Sequence, residues 1–218
     1  MQDNQMFVTA ADKAYHIIKG SILNGDLKPG EKLSKRNMAA LADVSVSPVL
    51  EALNRLTEDG IVETKPKWGS YVAAFTPEKI EDMYLLREAV ECQVARILAR
   101  KITDSQYQNG LIVAKKLDAC KYSSTDINEI SDMHFSFHSM LAKFTGCSSL
   151  QTTLKRCNIM WLLATADLGR KPYAELPEDW HKRLLDVFME RDQDKAEKCM
   201  REHVYDSYIR TKEKYSHV

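Results

Sequence analysis

No run of about 18 apolar residues occurs in the chain, so no membrane-spanning helix is expected. Met1–Ile18 lacks a basic stretch followed by an apolar one, which argues against a secretory signal. Cysteine is sparse and unpaired in pattern: Cys92, Cys120, Cys147, Cys157 and Cys199 are odd in number and form no CxxC. Free thiols in a reducing cytoplasm are the expectation. Excess charge of one sign is also missing. The 31 Lys and Arg balance the 31 Asp and Glu, and the first 75 residues carry nine of each sign. Any contact with nucleic acid must therefore come from a local patch, not from a strongly basic domain. Low-complexity segments and internal repeats are absent. What remains is a chain of 218 residues, 44% hydrophobic, enough for one or two domains with a real core.

Two patterns divide it. Ala14, Ile17, Ile18, Ile22 and Leu23 recur at helical spacing across residues 10–24, and Gly25 stops them. Pro29 and Gly30 mark a turn, Ser34 is placed to cap a short helix through Ala42, and Asp43–Ser45 break it. Ser47 followed by Pro48 predicts a helix start, with the helix running to Gly60. Ile61–Ala73 reads as two short strands around a Lys-Trp-Gly turn. Three helices and a hairpin in this length make a winged helix-turn-helix over residues 1–75. The second part, 76–218, has no strand signal. Helices are predicted from Thr76-Pro77 to about Lys101, then from a capping box of Thr103 and Gln106 to about Lys121. Others run from about Asp126 to Phe144, Ser148 to Leu168, and Glu178 to Arg191. The last, capped by Asp194 with Glu197, reaches about Tyr215. Six helices with short connections predict an all-α antiparallel bundle, so the chain is mainly α.

Four of the six histidines form a pattern. His134 and His138 are four apart on one helix and share a face. His181 and His203 each lie about 11 residues from the turn near Asp192–Gln193, hence at the same height in an antiparallel hairpin. Four converging imidazoles would hold one transition metal ion per chain, with zinc or nickel favoured, leaving two positions of a six-coordinate ion open. Separate hydrogen-bonded histidines are the bland alternative. His16 and His217 have no such partners and are read as surface or packing residues. Arg87 and Glu91, also four apart, suit a helix salt bridge; alternatively Arg87 neutralises an anionic effector. Arg156, with Asn158 close by, is a similar effector candidate, while Met160, Trp161 and Leu162 read as core.

For DNA, Lys35 and Arg36 begin the second helix, where helix N–H groups favour phosphate. Ser45 and Ser47 flank the start of the third helix. Lys65 and Lys67 flank the hairpin turn, and Gly69 would let its backbone approach a groove.

The segment Ala14–Val72 resembles the DNA-binding domain of the GntR family of regulators, through Gly25–Leu33 (GDLKPGEKL), Val44–Leu56 (VSVSPVLEALNRL) and the wing ending Gly69–Val72 (GSYV). The remainder resembles the FCD ligand-binding domain of the FadR subfamily, through Tyr84–Ala99, Phe137–Gly146 and His181–His203. Six helices resemble its shorter, VanR-like group. The resemblance implies a homodimeric transcription regulator that binds a palindromic DNA operator and senses a small carboxylate, a sugar acid or dicarboxylate. Two positions depart from the family. Its third helix usually begins S-R-T-P-V-R, and here Val46 and Leu50 replace the arginines. The family's aspartate four residues before the FH histidine is here His134, and its later asparagine is Cys147. The loss of the arginines keeps open a regulator that does not bind DNA itself and acts through a partner. A metal-dependent enzyme is a further alternative, but no general base is fixed near the histidines: Glu175, Glu178 and Asp179 lie in the loop before the fifth bundle helix.

Overall fold

The computed structural model describes residues 9–74, 76–123, 127–166 and 178–215, with the side chains of 121–123, 127–132, 158–166, 210, 211 and 213–215 left out. The main division of the chain into two compact units falls between Thr76 and Pro77. The first unit contains α1 (Ala10–Leu23), β1 (Lys32–Leu33), α2 (Lys35–Ala42), α3 (Val46–Glu58), β2 (Val62–Lys65) and β3 (Gly69–Val72). Thr9 caps α1 by accepting the Asp12 N–H. Ala14, Ile18 and Ile22 of α1 meet Val49, Ala52, Leu53 and Leu56 of α3 in the core. Between α2 and α3, Asp43 adopts a left-handed conformation (φ 50°), which a short polar side chain tolerates.

Helix α3 starts two residues earlier than the Ser47-Pro48 pair suggests. Ser45 is the N-cap and Val46 the first helical residue, so Pro48 is third. Its missing N–H still costs nothing there, because first-turn N–H groups have no partner within the helix. The sheet has the order β1-β3-β2, all antiparallel, with Lys32 opposite Tyr71 and Val62 opposite Val72. The two-residue β1 is too short to leave a periodic signal in the sequence. Gly69 sits at φ 103°, a conformation that L side chains rarely adopt, so the hairpin itself demands glycine there.

The second unit is all-helical among the described residues: α4 (Pro77–Lys101), α5 (Asp104–Ser123), α6 (Ile127–Phe144), α7 (Ser148–Ala166), α8 (Trp180–Met189) and α9 (Gln193–Tyr215). The fold class read from the sequence, a winged helix-turn-helix followed by a helical domain, is the one found. The capping box is present in full: Gln106 N–H donates to Thr103 Oγ1 at 3.2 Å, and Thr103 N–H donates to Gln106 Oε1 at 3.0 Å. The cap of α9 differs from expectation. Asp192 Oδ1 accepts the N–H groups of Asp194 and Lys195, while Asp194 and Glu197 both pair with Arg96 on α4. Helices α4 and α9 pack along each other, and Tyr84 Oη donates to the Ser207 carbonyl between them. Helix α5 packs on α6 and α8. Gly110 permits the close approach of α8: a Cβ there would lie 2.9 Å from Leu185 Cδ2. That approach brings Asp118, two turns further along α5, to the start of α8.

Candidate metal centre

The second unit buries four histidines. His134 and His138 on α6, His181 at the second position of α8 and His203 on α9 are all at most 5% exposed. Amphipathic helices turn one face inward, and the i,i+4 spacing on α6 puts both of its rings on that face. The hairpin of α8 and α9 brings the other two to the same height, with ring centroids 5.2 Å apart. One nitrogen from each ring lies within 4.8 Å of the other three, so the group could hold a metal ion.

The hydrogen bonds determine which nitrogen each ring offers. His138 Nδ1 contacts Glu91 Oε2, and His181 Nδ1 contacts Asp118 Oδ1 at 2.7 Å. Each carboxylate holds its imidazole with Nδ1–H outward and the Nε2 lone pair toward the cluster, the usual support of a histidine metal ligand. His134 Nε2 and His203 Nε2 both lie 3.2 Å from His138 Nε2. That atom has either one lone pair or one proton, and cannot satisfy two neighbours. A cation satisfies all three. Two nitrogens about 2.0–2.1 Å from one zinc ion and adjacent in its shell would be separated by about 3.0–3.4 Å. The donor set therefore fits a transition metal on its own geometry.

Electrostatics keep the rings ready. Burial pushes His134 and His203 well below the usual histidine range, so both are neutral lone-pair donors at pH 7. Burial alone would raise Glu91, but its contacts with the His138 ring and the Arg87 guanidinium hold it below the usual carboxylate range. Asp118 is likewise lowered despite burial, through its hydrogen bond from His181. Asp118 also accepts the backbone N–H groups of His181 (3.2 Å) and Lys182 (3.1 Å). It thus caps α8, whose own N-cap residue, Asp179, makes no side-chain cap. Trp180 stacks on His203 with centroids 3.8 Å apart and covers the ring.

Arg87 and Glu91 form the helix salt bridge that their spacing suggests. Arg87 is 1% exposed and donates from Nε to Glu91 at 2.5 Å, with Nη1 3.3 Å from Ser207 Oγ. Its charge is felt at His134 and His203. Arg156 is exposed on α7, and the Asn158 side chain lies outside the described residues, as do those of Met160, Trp161 and Leu162. His16 is exposed on α1, and His217 and Glu175 lie outside the described residues.

In the first unit, Lys35, Arg36, Ser45, Ser47, Lys65 and Lys67 are all exposed. Lys65 Nζ stands 5.1 Å from the centre of the Tyr71 ring, and Lys32 Nζ 5.9 Å from it. No ion pair among the described residues consumes Lys35, Arg36 or Lys67.

Comparison with known proteins places the whole arrangement. Residues 10–72 match the model of the bacterial regulatory proteins of the gntR family, and residues 82–206 match the FCD domain. The chain belongs to the GntR family of regulators and carries an FCD domain. It is 30% identical over 205 residues to the HTH-type transcriptional repressor RspR of Escherichia coli (87% of this chain, 83% of that one). It is 26% identical over 211 residues to the E. coli repressor GlaR (91% and 94%). In fold it is similar to E. coli McbR/YncC, at TM-score 0.76 and 18% identity over 95% of this chain and 99% of that one. A putative GntR regulator from Rhodococcus sp. RHA1 matches at TM-score 0.72 and 21% identity (92% and 96%). This GntR-family protein is therefore a DNA-binding transcription regulator and not an enzyme. Among its described residues, no helix is long and apolar enough to cross a membrane.

Sequence reasoning finds the four histidines but misses Asp118, and misses Glu91 as a histidine partner. Asp118 gives no distinguishing signal: Lys115 and Lys121 stand three residues to either side of it, so in the sequence it reads as an ordinary salt-bridging residue on a helix surface.

Proposed function

We propose that this cytoplasmic regulator senses a small carboxylate, a sugar acid or dicarboxylate, through one zinc or nickel ion bound by His134, His138, His181 and His203. The observation carrying this reading is the approach of four buried imidazole nitrogens to within 4.8 Å. Four neutral ligands leave the ion its full charge, and an anionic effector is the natural occupant of its open positions. Residues 1–75 would serve as the DNA-binding domain and 76–218 as the sensing and dimerisation domain. A single winged helix reads few base pairs, so two copies on a palindromic site are proposed. Exposed Leu85 and Leu86 on α4 support an apolar contact between copies. Lys35, Arg36, Lys65 and Lys67 would meet phosphates, while Ser45 and Ser47 stand at the helix start nearest the bases.

A gel-shift assay on the DNA flanking the protein's own gene tests this. The zinc-loaded chain should bind, and one or more of a panel of sugar acids and dicarboxylates should change that binding. The same acid should have no effect on His203→Ala. A panel without effect on the loaded protein would refute the sensing role. Absence of any shifted complex would favour the second reading, a regulator acting through a partner, which rests on Val46 and Leu50 in α3.

A further inference from the structure

Helix α3 has a settled inner face. Val49, Ala52, Leu53 and Leu56 are buried, which turns Val46, Ser47, Leu50, Glu51 and Asn54 outward. Val46 is 39% exposed and Leu50 40% exposed. Four residues apart, they lie one above the other and form an apolar strip on the first half of the helix. The helix has one basic residue, Arg55, and that residue is committed elsewhere. It pairs with Asp12 at 2.7 Å and covers the Tyr15 ring at 4.5 Å. The outward face of α3 therefore carries two apolar side chains, the uncharged Ser47 and Asn54, and the acceptor-only carboxylate of Glu51, with no cation. The available cations stand apart from it, on the start of α2 and along the β2–β3 hairpin.

In a helix-turn-helix, the second helix enters the major groove and its N-terminal residues meet the base edges. Val46 is the first residue of α3 and Leu50 the fifth. Guanine offers two acceptors in that groove, and phosphate offers only acceptors, so neither finds a donor on Val46 or Leu50, and the donors beside them, Ser47 and Asn54, lack the bidentate charged fork of an arginine. Glu51 would repel both. The apolar group in the major groove is the 5-methyl of thymine. We propose that Val46 and Leu50 are specificity-determining residues, reading thymine methyl groups in each half-site. Affinity for the backbone comes from the cations outside α3. The proposal rests on the DNA-binding function alone and is independent of the metal.

The test uses the full chain and a duplex enriched from random DNA. Deoxyuridine then replaces thymidine one position at a time, deleting only the methyl. Burial of one such carbon is worth about 0.8 kcal/mol, or about fourfold in affinity. One or two positions per half-site should show a loss of about fourfold when substituted. In Val46→Ala or Leu50→Ala the matching position should lose this sensitivity, while substitutions in the flanks change nothing. Both residues are exposed, so neither variant should lower the melting temperature. The proposal is overturned if every uridine duplex binds the natural chain as well as the thymidine one. It is also overturned if no sequence enriches, or if the uridine penalty is unchanged in both alanine variants, which would assign the methyl effect to DNA shape.

Discussion

Replacing Asp118 by alanine should damage both stability and metal affinity. The buried carboxylate receives the His181 Nδ1–H and the backbone N–H groups of His181 and Lys182. Losing a cap acceptor costs about 1 kcal/mol. Leaving buried donors unsatisfied costs about 1–3 kcal/mol each, partly offset because the carboxylate is no longer itself buried. A net loss of about 3 kcal/mol corresponds to a drop of about 12 °C in the melting temperature of a unit of this size. The histidine also loses the partner that fixes its tautomer, so metal affinity should fall about 10–100-fold. Circular dichroism melts of the metal-free chain read the first effect, and zinc titration against a chromophoric chelator reads the second. Asp118→Asn separates them. It keeps an acceptor for the backbone groups, so it should melt closer to the parent, while its neutral amide should still weaken zinc binding. An Asp118→Ala chain with unchanged melting and zinc affinity within about twofold would refute the reasoning, since the expected loss is at least tenfold.

Other expectations follow from the same geometry. His134→Asp should retain the metal, because a carboxylate can replace the imidazole as a ligand; loss of metal in this variant, measured by elemental analysis, would contradict it. In the metal-free chain, His134 and His203 are held below their unfolded value of about 6.5, so the stability they confer is present above that pH and is lost as pH falls through and below it. Melting temperatures flat between pH 7.5 and 5 would count against this. Arg36→Ala should weaken binding to every DNA sequence alike and make the salt slope shallower by about 0.9 for each phosphate that Arg36 neutralises; a change confined to one base position would contradict it. Light scattering should report a dimer at micromolar concentration, and a monomer both free and on DNA would oppose a palindromic site.

Much of the fold can be read in the sequence because its signals are local. The Thr103–Gln106 box and the break at Asp43–Ser45 depend on residues within one turn of each other. The histidine heights follow from counting residues to a single hairpin turn. What escapes depends on groups far apart in sequence. His138 meets Glu91 across 47 residues, and His181 meets Asp118 across 63. No periodicity encodes such pairs. Gly110 likewise looks like a weak helix residue until Leu185 is seen against it. Asp192 displaces Asp194 as the cap of α9 because Arg96, nearly 100 residues away, holds Asp194 instead.

The proposed metal ion rests on four buried histidines, His134, His138, His181 and His203. Elemental analysis of the chain after zinc or nickel loading and desalting tests it most directly. The natural sequence should retain about one metal atom per chain, and His138→Ala and His203→Ala should lose it almost completely, with lower melting temperatures in both. A natural chain that retains no metal, or both alanine variants retaining as much as the parent, would contradict it.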